Sequence, residues 1–315
     1  PNTKGVTSIR SGIGGQTRAV DTSSVLESNV IQYIEYQVNN KVDNKLENIN
    51  NEMIYGCHKE ENKPLIVADM YVLAQGVKTG IYRVCDEIFK RLNSSNEICL
   101  NYYVKEPFLE KSEKYLEENM FLCNNLKKTL AEAYSEINFF IAPFGVPPYD
   151  IVHKKNIKHV HFIYDLIAIE HPEYFTEEGA QEVKDIMDSL DNETIIFAIS
   201  EYTKNKLLNY RNDLSAEQIT VIPLAADEKF TPCLSLNRKK EVCEKYNIPF
   251  DTPYILSLAT LEIRKNLETS IESFNKYLLD NPKSDLNLVL SGMSGWKLEK
   301  LQEKLLEYKN IENRI

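Results

Sequence analysis

The chain has 315 residues, 43% hydrophobic and 27% charged, enough for about two domains and a sizeable core. Its 37 basic and 47 acidic side chains give a net charge of −10, which argues against nucleic acid as the main partner, because a phosphate backbone calls for a broad basic surface. A local basic site on so acidic a chain suits a small anion.

The first residue is Pro rather than Met, so an excised or processed piece is expected. No apolar run approaches the roughly 20 residues of a membrane span, and no signal peptide is visible. The six cysteines, at 57, 85, 99, 123, 233 and 243, lack zinc-knuckle spacing. Cys85, Cys99 and Cys123 fall within apolar patterns, which reads as reduced core thiols in a cytoplasmic protein.

Residues 1–23 are polar and contain glycine, and read as a flexible tail. "GIGG" within them follows no strand, so it carries no dinucleotide signal. Across 24–60 the spacing predicts one long amphipathic helix, with Leu26, Val30, Ile34, Val38, Val42, Leu46, Ile49 and Met53 on a narrow apolar stripe. Such a helix either packs on the main body or forms a coiled coil through residues 24–54, joining copies of the chain or a neighbouring domain.

From Lys63 onward short apolar runs alternate with helical patterns. "PLIVADM", "EICLNYYV", "INFFIAP", "KHVHFIYDL", "TIIFAIS" and "ITVIPL" read as strands. Gly80–Leu92, Leu109–Ala133, Thr176–Leu190 and Thr203–Tyr210 read as helices. The alternation predicts an α/β fold, a parallel sheet covered by helices on both faces, over residues 61–232. After a connection with a short helix, a second unit over 233–315 holds "YILSLA" and "LNLVLSG" as strands, and Lys265–Leu279 and Gly295–Tyr308 as helices. Two strands make a poor sheet, so this unit reads as incomplete.

Three loops at expected strand ends hold candidate chemistry, since parallel sheets bind ligands there. In "ATLEIRKN", Arg264 and Lys265 stand where a helix opens. The dipole disfavours cations at that place unless an anion neutralises them, so either a phosphate binds or two solvated cations sit near Glu262 and Glu268. In "ADMYVLAQGVKTGIYRV", Thr79 can cap a helix, Gly80 can let backbone approach a ligand, and Arg83 can contact phosphate or an acceptor; a turn glycine and a surface arginine are the plainer reading. In "HFIYDLIAIEHPEYF", Asp165 just past a strand can act as a base, accept a sugar hydroxyl or form a turn. His161 reads as a packed or hydrogen-bonded core residue, His171 as loop structure and Ser200 as a helix cap. No D-x-D, no G-x-x-x-x-G-K-[ST] and no G-x-S-x-G occurs, which removes a metal–phosphate clamp of that kind, a P-loop and the usual hydrolase elbow.

Four stretches together carry a resemblance: "TGIYRV" (79–84), "YDLIAIEHPEYF" (164–175), "AISEYTKNKLL" continuing to "ITVIPLAADEKF" (198–230), and "YILSLATLEIRKNLETSIESF" (254–274), with "SGMSGW" (291–296) fitting the next strand and loop. Over residues 63–315 the chain resembles the GT-B glycosyltransferases of family GT4. The resemblance implies two Rossmann-like domains facing a cleft, the acceptor mainly on the first and a nucleotide-sugar donor mainly on the second. It implies transfer with retention at the anomeric carbon to a saccharide or a lipid- or protein-linked acceptor, in bacterial polysaccharide or glycoconjugate assembly. It implies no cofactor and no metal, with the nucleotide-sugar as substrate, and a cytoplasmic location, including the inner face of the membrane. Arg264 and Lys265 fall where the donor-diphosphate cations sit, and Gly80, with Thr79, falls in the loop that approaches the diphosphate. Asp165 and Tyr164 fall on the motif that often reads His-Asp. Tyr164 replaces that histidine and cannot carry positive charge near neutral pH. The family's E-x7-E region has no counterpart here. Two other readings stand beside this one: a catalytically incomplete transferase domain serving as a scaffold, and a nucleotide-dependent oxidoreductase, which the missing glycine fingerprint disfavours.

Overall fold

The computed structural model describes residues 52–56, 58–119, 126–148, 151, 156–226, 230–295 and 297–315. The expected tail and residues 24–51 of the expected long helix and coiled coil lie outside them. The chain divides into two compact units between Ala225 and Ala226.

In the first unit, among the described residues, eight strands form one sheet: β1 (Met53–Gly56), β2 (Leu65–Asp69), β3 (Cys99–Val104), β4 (Leu126–Thr129), β5 (Ile137–Ala142), β6 (Lys158–Ile163), β7 (Ile195–Ala198) and β8 (Ile219–Val221). Their spatial order is β4-β1-β3-β2-β5-β6-β7-β8. From β3 to β8 every neighbouring pair is parallel, while β1 pairs antiparallel with both β3 and β4. The chain steps from β2 to β3 on one side and returns to β5 on the other, so strand order reverses at the β2/β5 seam.

The helices are α1 (Tyr71–Ala74), α2 (Gly80–Asn93), α3 (Leu109–Glu118), α4 (Leu130–Ala133), α5 (Ile167–Glu170), α6 (Glu177–Asp188) and α7 (Glu201–Tyr210). The sheet is buried on both faces, as near-continuous apolar strands require. Alternate residues serve opposite faces: Leu65, Val67, Cys99 and Tyr103 join one cluster, and Ala68, Leu100, Tyr102 and Val104 join the other with Cys85 and Phe89 of α2. A third cluster seats Ile186 and Met187 of α6 and Leu207 of α7 against β6 and β7.

Two expectations fail here. Met53 continues the helical stripe in sequence, yet it starts β1, facing Val104 of β3 and Thr129 of β4. Alternating Ile54 and Tyr55 both find buried places in the sheet, and that tertiary gain overrides the local period. The single helix expected over Leu109–Ala133 is instead α3, strand β4 and α4. Thr129 begins α4 with a capping box: its hydroxyl accepts from the Glu132 N–H, and Glu132 Oε2 accepts from the Thr129 N–H.

The second unit holds α8 (Leu236–Tyr246), β9 (Tyr254–Leu258), α9 (Leu267–Asp280), β10 (Asn287–Ser291) and α10 (Glu299–Glu307). Among the described residues β9 and β10 form a two-stranded parallel sheet. Its core is Leu261, Leu267, Ile271, Phe274, Leu288, Leu301 and Ile311. Along β9 Tyr254, Ile255, Leu256 and Leu258 are all exposed, Leu258 at 77%. Accordingly, Leu258→Ser should cost little stability, within about 0.5 kcal/mol. Ile271→Ala, which empties a fully buried site, should cost about 2–5 kcal/mol in urea unfolding of the same chain.

Two buried titratable groups contribute to the first unit's acid response in opposite senses. Burial lifts the Asp69 carboxyl from 3.8 to about 6, although Lys105 and the Tyr71 N–H pull it back; Glu52 adds to the rise. Burial drives His161 from 6.5 down to about 3, helped by His159 and opposed by Asp191. His161 is packed as expected, but neither ring nitrogen has a partner among the described residues. Folding disfavours ionised Asp69, so its favourable contribution is complete below its unfolded pKa and is lost as pH rises through about 6. Folding also disfavours charged His161, so stability is lost as pH falls below about 6.5. The two slopes oppose each other between about pH 4 and 6. Asp69→Asn should therefore raise stability on the order of 1–2 kcal/mol at neutral pH, with the gain vanishing below about pH 4. The variant's unfolding midpoint should fall more steeply with acid than the parent's.

Candidate functional site

The backbone of the second unit shapes the Arg264–Lys265 turn before any side chain does. Beyond the ends of β9 and β10 the two loops stay in register. Ala259 N–H donates to Ser291 O at 3.0 Å, Leu261 N–H to Met293 O at 2.8 Å and Gly295 N–H to Leu261 O at 2.8 Å. Leu261 and Ser294 form a parallel bridge. A Cβ on Gly292 would lie 1.6 Å from Ala259 O, so only glycine permits this approach. Gly295 is similarly close to Leu261 O, at 2.7 Å.

From that ladder the chain makes a 3-10 turn, Ile263–Lys265, then passes through Asn266 in the left-handed region (φ 49°) and enters α9 at Leu267. The helix thus starts two positions later than the expected Lys265, and both cations precede it rather than occupy its first turn. No side chain caps α9, because Asn266 Oδ1 instead accepts from Thr269 Oγ1 at 2.8 Å. Lys265 is exposed. Arg264 is not a free cation: its Nη2 donates to Glu262 Oε1 at 2.6 Å. Glu262 is 3% exposed, and its Oε2, like Arg264 Nε, has no partner among the described residues. The pair holds one edge of the guanidinium beside α9's N-terminus, where the unsatisfied N–H groups and dipole favour an anion.

In the first unit, Thr79 caps α2: its hydroxyl accepts from the Tyr82 N–H at 3.1 Å. Gly80 is exposed, and a Cβ there would meet nothing within 4 Å, so packing does not demand glycine and space stands open before it. Arg83 lies one turn into α2, half-buried.

Tyr164 and Asp165 follow β6. The Tyr164 hydroxyl lies 4.0 Å from Cys85 Sγ of α2, and its carbonyl accepts from Thr203 Oγ1 at 3.1 Å. Burial raises the Tyr164 phenol and pushes the Cys85 thiol up to about 12, so both stay protonated and unreactive at neutral pH. Asp165 is exposed, and its Oδ1 accepts from the Ile167 N–H at 3.0 Å, the hydrogen bond of a turn former. Ser200 caps α7 through the Thr203 N–H at 3.1 Å, as expected. His171 sits in the loop beside Glu173, 3.1 Å away.

The structure therefore brings Tyr164 onto α2, one turn beyond Gly80 and Thr79, and places Arg264 and Lys265 together in the other unit. It also adds a residue that sequence reasoning passed over. Asp69, at the carboxyl end of β2, is 2% exposed; its Oδ1 accepts from the Tyr71 N–H at 2.9 Å, and its Oδ2 has no partner among the described residues. The signal in the sequence was an acid closing an apolar strand, "LIVAD". Among the described residues no group of three His, Cys, Asp or Glu could hold a metal ion, and no helix is long and apolar enough to cross a membrane.

No protein-family model matches the chain, and no curated protein does. Solved structures do. One is Anabaena Alr3699/HepE in complex with UDP, at 12% identity and TM-score 0.53, covering 80% of this chain and 67% of that one. Another is a glycosyltransferase from Rickettsia africae ESF-5, at 15% identity and TM-score 0.49, covering 80% and 66%. The chain thus spans about two thirds of the length of each. At these identities the likeness concerns fold, and it agrees with the expected α/β architecture of GT-B type: a mainly parallel first sheet followed by a second strand–helix unit.

Proposed function

We propose that the chain is a glycosyltransferase that takes its sugar from a nucleotide-sugar donor and passes it to a saccharide or a lipid- or protein-linked acceptor. The observation that carries this reading is the Arg264–Lys265 turn: two cations held by a backbone ladder immediately before an uncapped 14-residue helix. When a sugar leaves a nucleoside diphosphate, negative charge grows on the diphosphate, and fixed donors at that point lower the barrier. Lys265, the outer edge of Arg264 and the N-terminus of α9 supply such donors without a metal. The likeness to a protein crystallised with UDP supports a nucleotide as the ligand of that turn.

The finer reading follows the sequence resemblance: family GT4, retention at the anomeric carbon, bacterial polysaccharide or glycoconjugate assembly, action in the cytoplasm or at the inner face of the membrane. In it Asp165 and Tyr164 take the catalytic role, and Gly80 with Thr79 the donor-loop role, that the resemblance gives those positions. A second reading, a scaffold built on a transferase domain, is favoured by Asp165's engagement with the Ile167 N–H and by Tyr164 in place of histidine.

Release of nucleoside diphosphate from a panel of UDP-, GDP- and dTDP-sugars by the full gene product, with and without EDTA, separates the two. Turnover of one donor that survives EDTA is the expected result; no turnover and no binding with any donor would leave the scaffold. Within the active protein, Lys265→Ala should weaken nucleoside diphosphate binding roughly tenfold or more without lowering stability, because the side chain is exposed. Arg264→Ala should weaken binding and also destabilise, because it leaves buried Glu262 unpaired. Equal nucleotide affinity in parent and Lys265→Ala would remove the turn from the donor site.

A further inference from the structure

Residues 262–268 hold Glu262, Arg264, Lys265 and Glu268, two acidic and two basic side chains whose charges cancel. Net charge therefore draws no anion to this turn. Direction does: the N–H groups of the uncapped first turn of α9 point one way, and a side-chain donor adds to them when its aim is fixed. Lys265 is exposed, and its aim is free. Arg264 is the cation with a fixed aim, and Glu262 fixes it.

Glu262 enters the 3-10 turn in extended backbone, φ −154° and ψ 156°, and its carbonyl accepts from the Lys265 N–H at 3.0 Å. Its side chain starts against the neighbouring loop: a Cβ on Gly295 would stand 3.2 Å from the Glu262 Cβ. The Glu262 side chain is 1% exposed and that of Arg264 27%. Arg264 thus keeps an outer edge in solvent while its Nη2 donates to Glu262 Oε1 at 2.6 Å. A fork-to-fork contact would use a second pair of atoms, Arg264 Nε and Glu262 Oε2, and both lack a partner among the described residues. The guanidinium is therefore anchored at one nitrogen. A buried ion pair is in any case a poor stabiliser, since apolar side chains of similar volume do as well or better. Burying a carboxylate, leaving one of its oxygens unused and holding a cation beside an open helix start makes sense through what that cation does.

We propose that Glu262 is a positioning residue: sealed from the ligand, it holds the Arg264 guanidinium so that the outer edge meets a phosphoryl group bound at the N-terminus of α9. This rests on the donor-site reading above. It gives the two cations different tasks. Lys265 contributes charge, whereas Arg264, its charge matched by Glu262, contributes a donor of set direction. Lysine at 264 cannot take its place, because an ammonium has no planar fork to divide between a carboxylate and a phosphate.

The test exploits two effects of opposite sign. Glu262→Ala removes a negative charge close to a bound anion, so charge alone makes binding tighter, while loss of positioning makes it weaker. The measurement is calorimetric titration of the full chain with UDP, GDP, dTDP and inorganic pyrophosphate, with urea unfolding of the same samples. The parent should bind at least one nucleoside diphosphate, and Glu262→Ala should weaken that binding roughly tenfold. Glu262→Gln, which keeps an acceptor oxygen, should stay within about threefold of the parent. The loss should vanish in an Arg264→Ala background and persist in a Lys265→Ala background; a residue that only supports the fold shows neither dependence. Arg264→Lys should bind as weakly as Arg264→Ala, and this arm decides if Glu262→Ala does not fold. Parent-like or tighter binding by Glu262→Ala, an equal loss when Arg264 is absent, or parent-like binding by Arg264→Lys would each overturn the proposal and leave the transferase reading standing. Pyrophosphate binding that depends on Glu262, with no nucleotide bound, sinks the transferase reading alone. A parent that binds none of the four ligands sinks both.

Discussion

Everything in the first unit depends on six consecutive strands of one sheet running the same way. A parallel ladder cannot be closed by tight hairpins, so each strand hands the chain to a crossover, most of them helical, and both faces become core. The period-two alternation of β2 and β3 serves those faces equally: Leu65 and Val67 point one way, Ile66 and Ala68 the other. Because the strands are parallel, their carboxyl ends gather along one edge. Asp69, Lys105, Gly145, Tyr164, Asp165 and Ser200 all stand at that edge for this single reason, whatever each does there.

The edge sorts its residues by burial. Ser200 and Thr79 spend their hydroxyls on helix N–H groups, and Asp165 spends an oxygen on a turn. Tyr164 packs its phenol against a buried thiol. Asp69 differs from all of them, since its burial is almost complete while its hydrogen bonding is not. In the second unit the corresponding tension lies in Glu262, likewise buried and half-satisfied, but there Arg264 accompanies it. Each unit thus keeps one nearly buried carboxylate, at the carboxyl end of β2 in the first and in the loop just beyond β9 in the second.

Much of this was legible from residue order. The parallel sheet, the cap at Ser200 and the positions of Arg264 and Lys265 beside a helix start follow from alternation, from hydroxyl residues before apolar periods, and from charge in an unfavourable place. The failures have physical causes. Met53 continues a helical stripe, and only partners from residues 99–104 and 126–129 make it a strand; such long-range pairing leaves no local trace. The break inside 109–133 did leave one, the Thr129–Glu132 capping box, which the apolar period masked. Asp69 was readable as an acid at a strand end, but its burial and its unsatisfied oxygen depend on tertiary packing that residue order does not show. Arg264 was readable as a cation, while its pairing with Glu262 required the turn's geometry.

That turn takes its position from a neighbouring loop rather than from its own side chains. Gly292 and Gly295 let two loop backbones lie against each other, and the ladder through Ala259, Leu261 and Ser294 sets where residues 263–265 emerge. The side chain at 265, which is exposed, is therefore free to vary without moving the place it acts from, whereas Arg264 is tied to buried Glu262 and a methyl group at 292 in the neighbouring loop would displace the turn. Ligand preference and site architecture are in this sense written on separate segments of the chain, and they can diverge at different rates among descendants of the same fold.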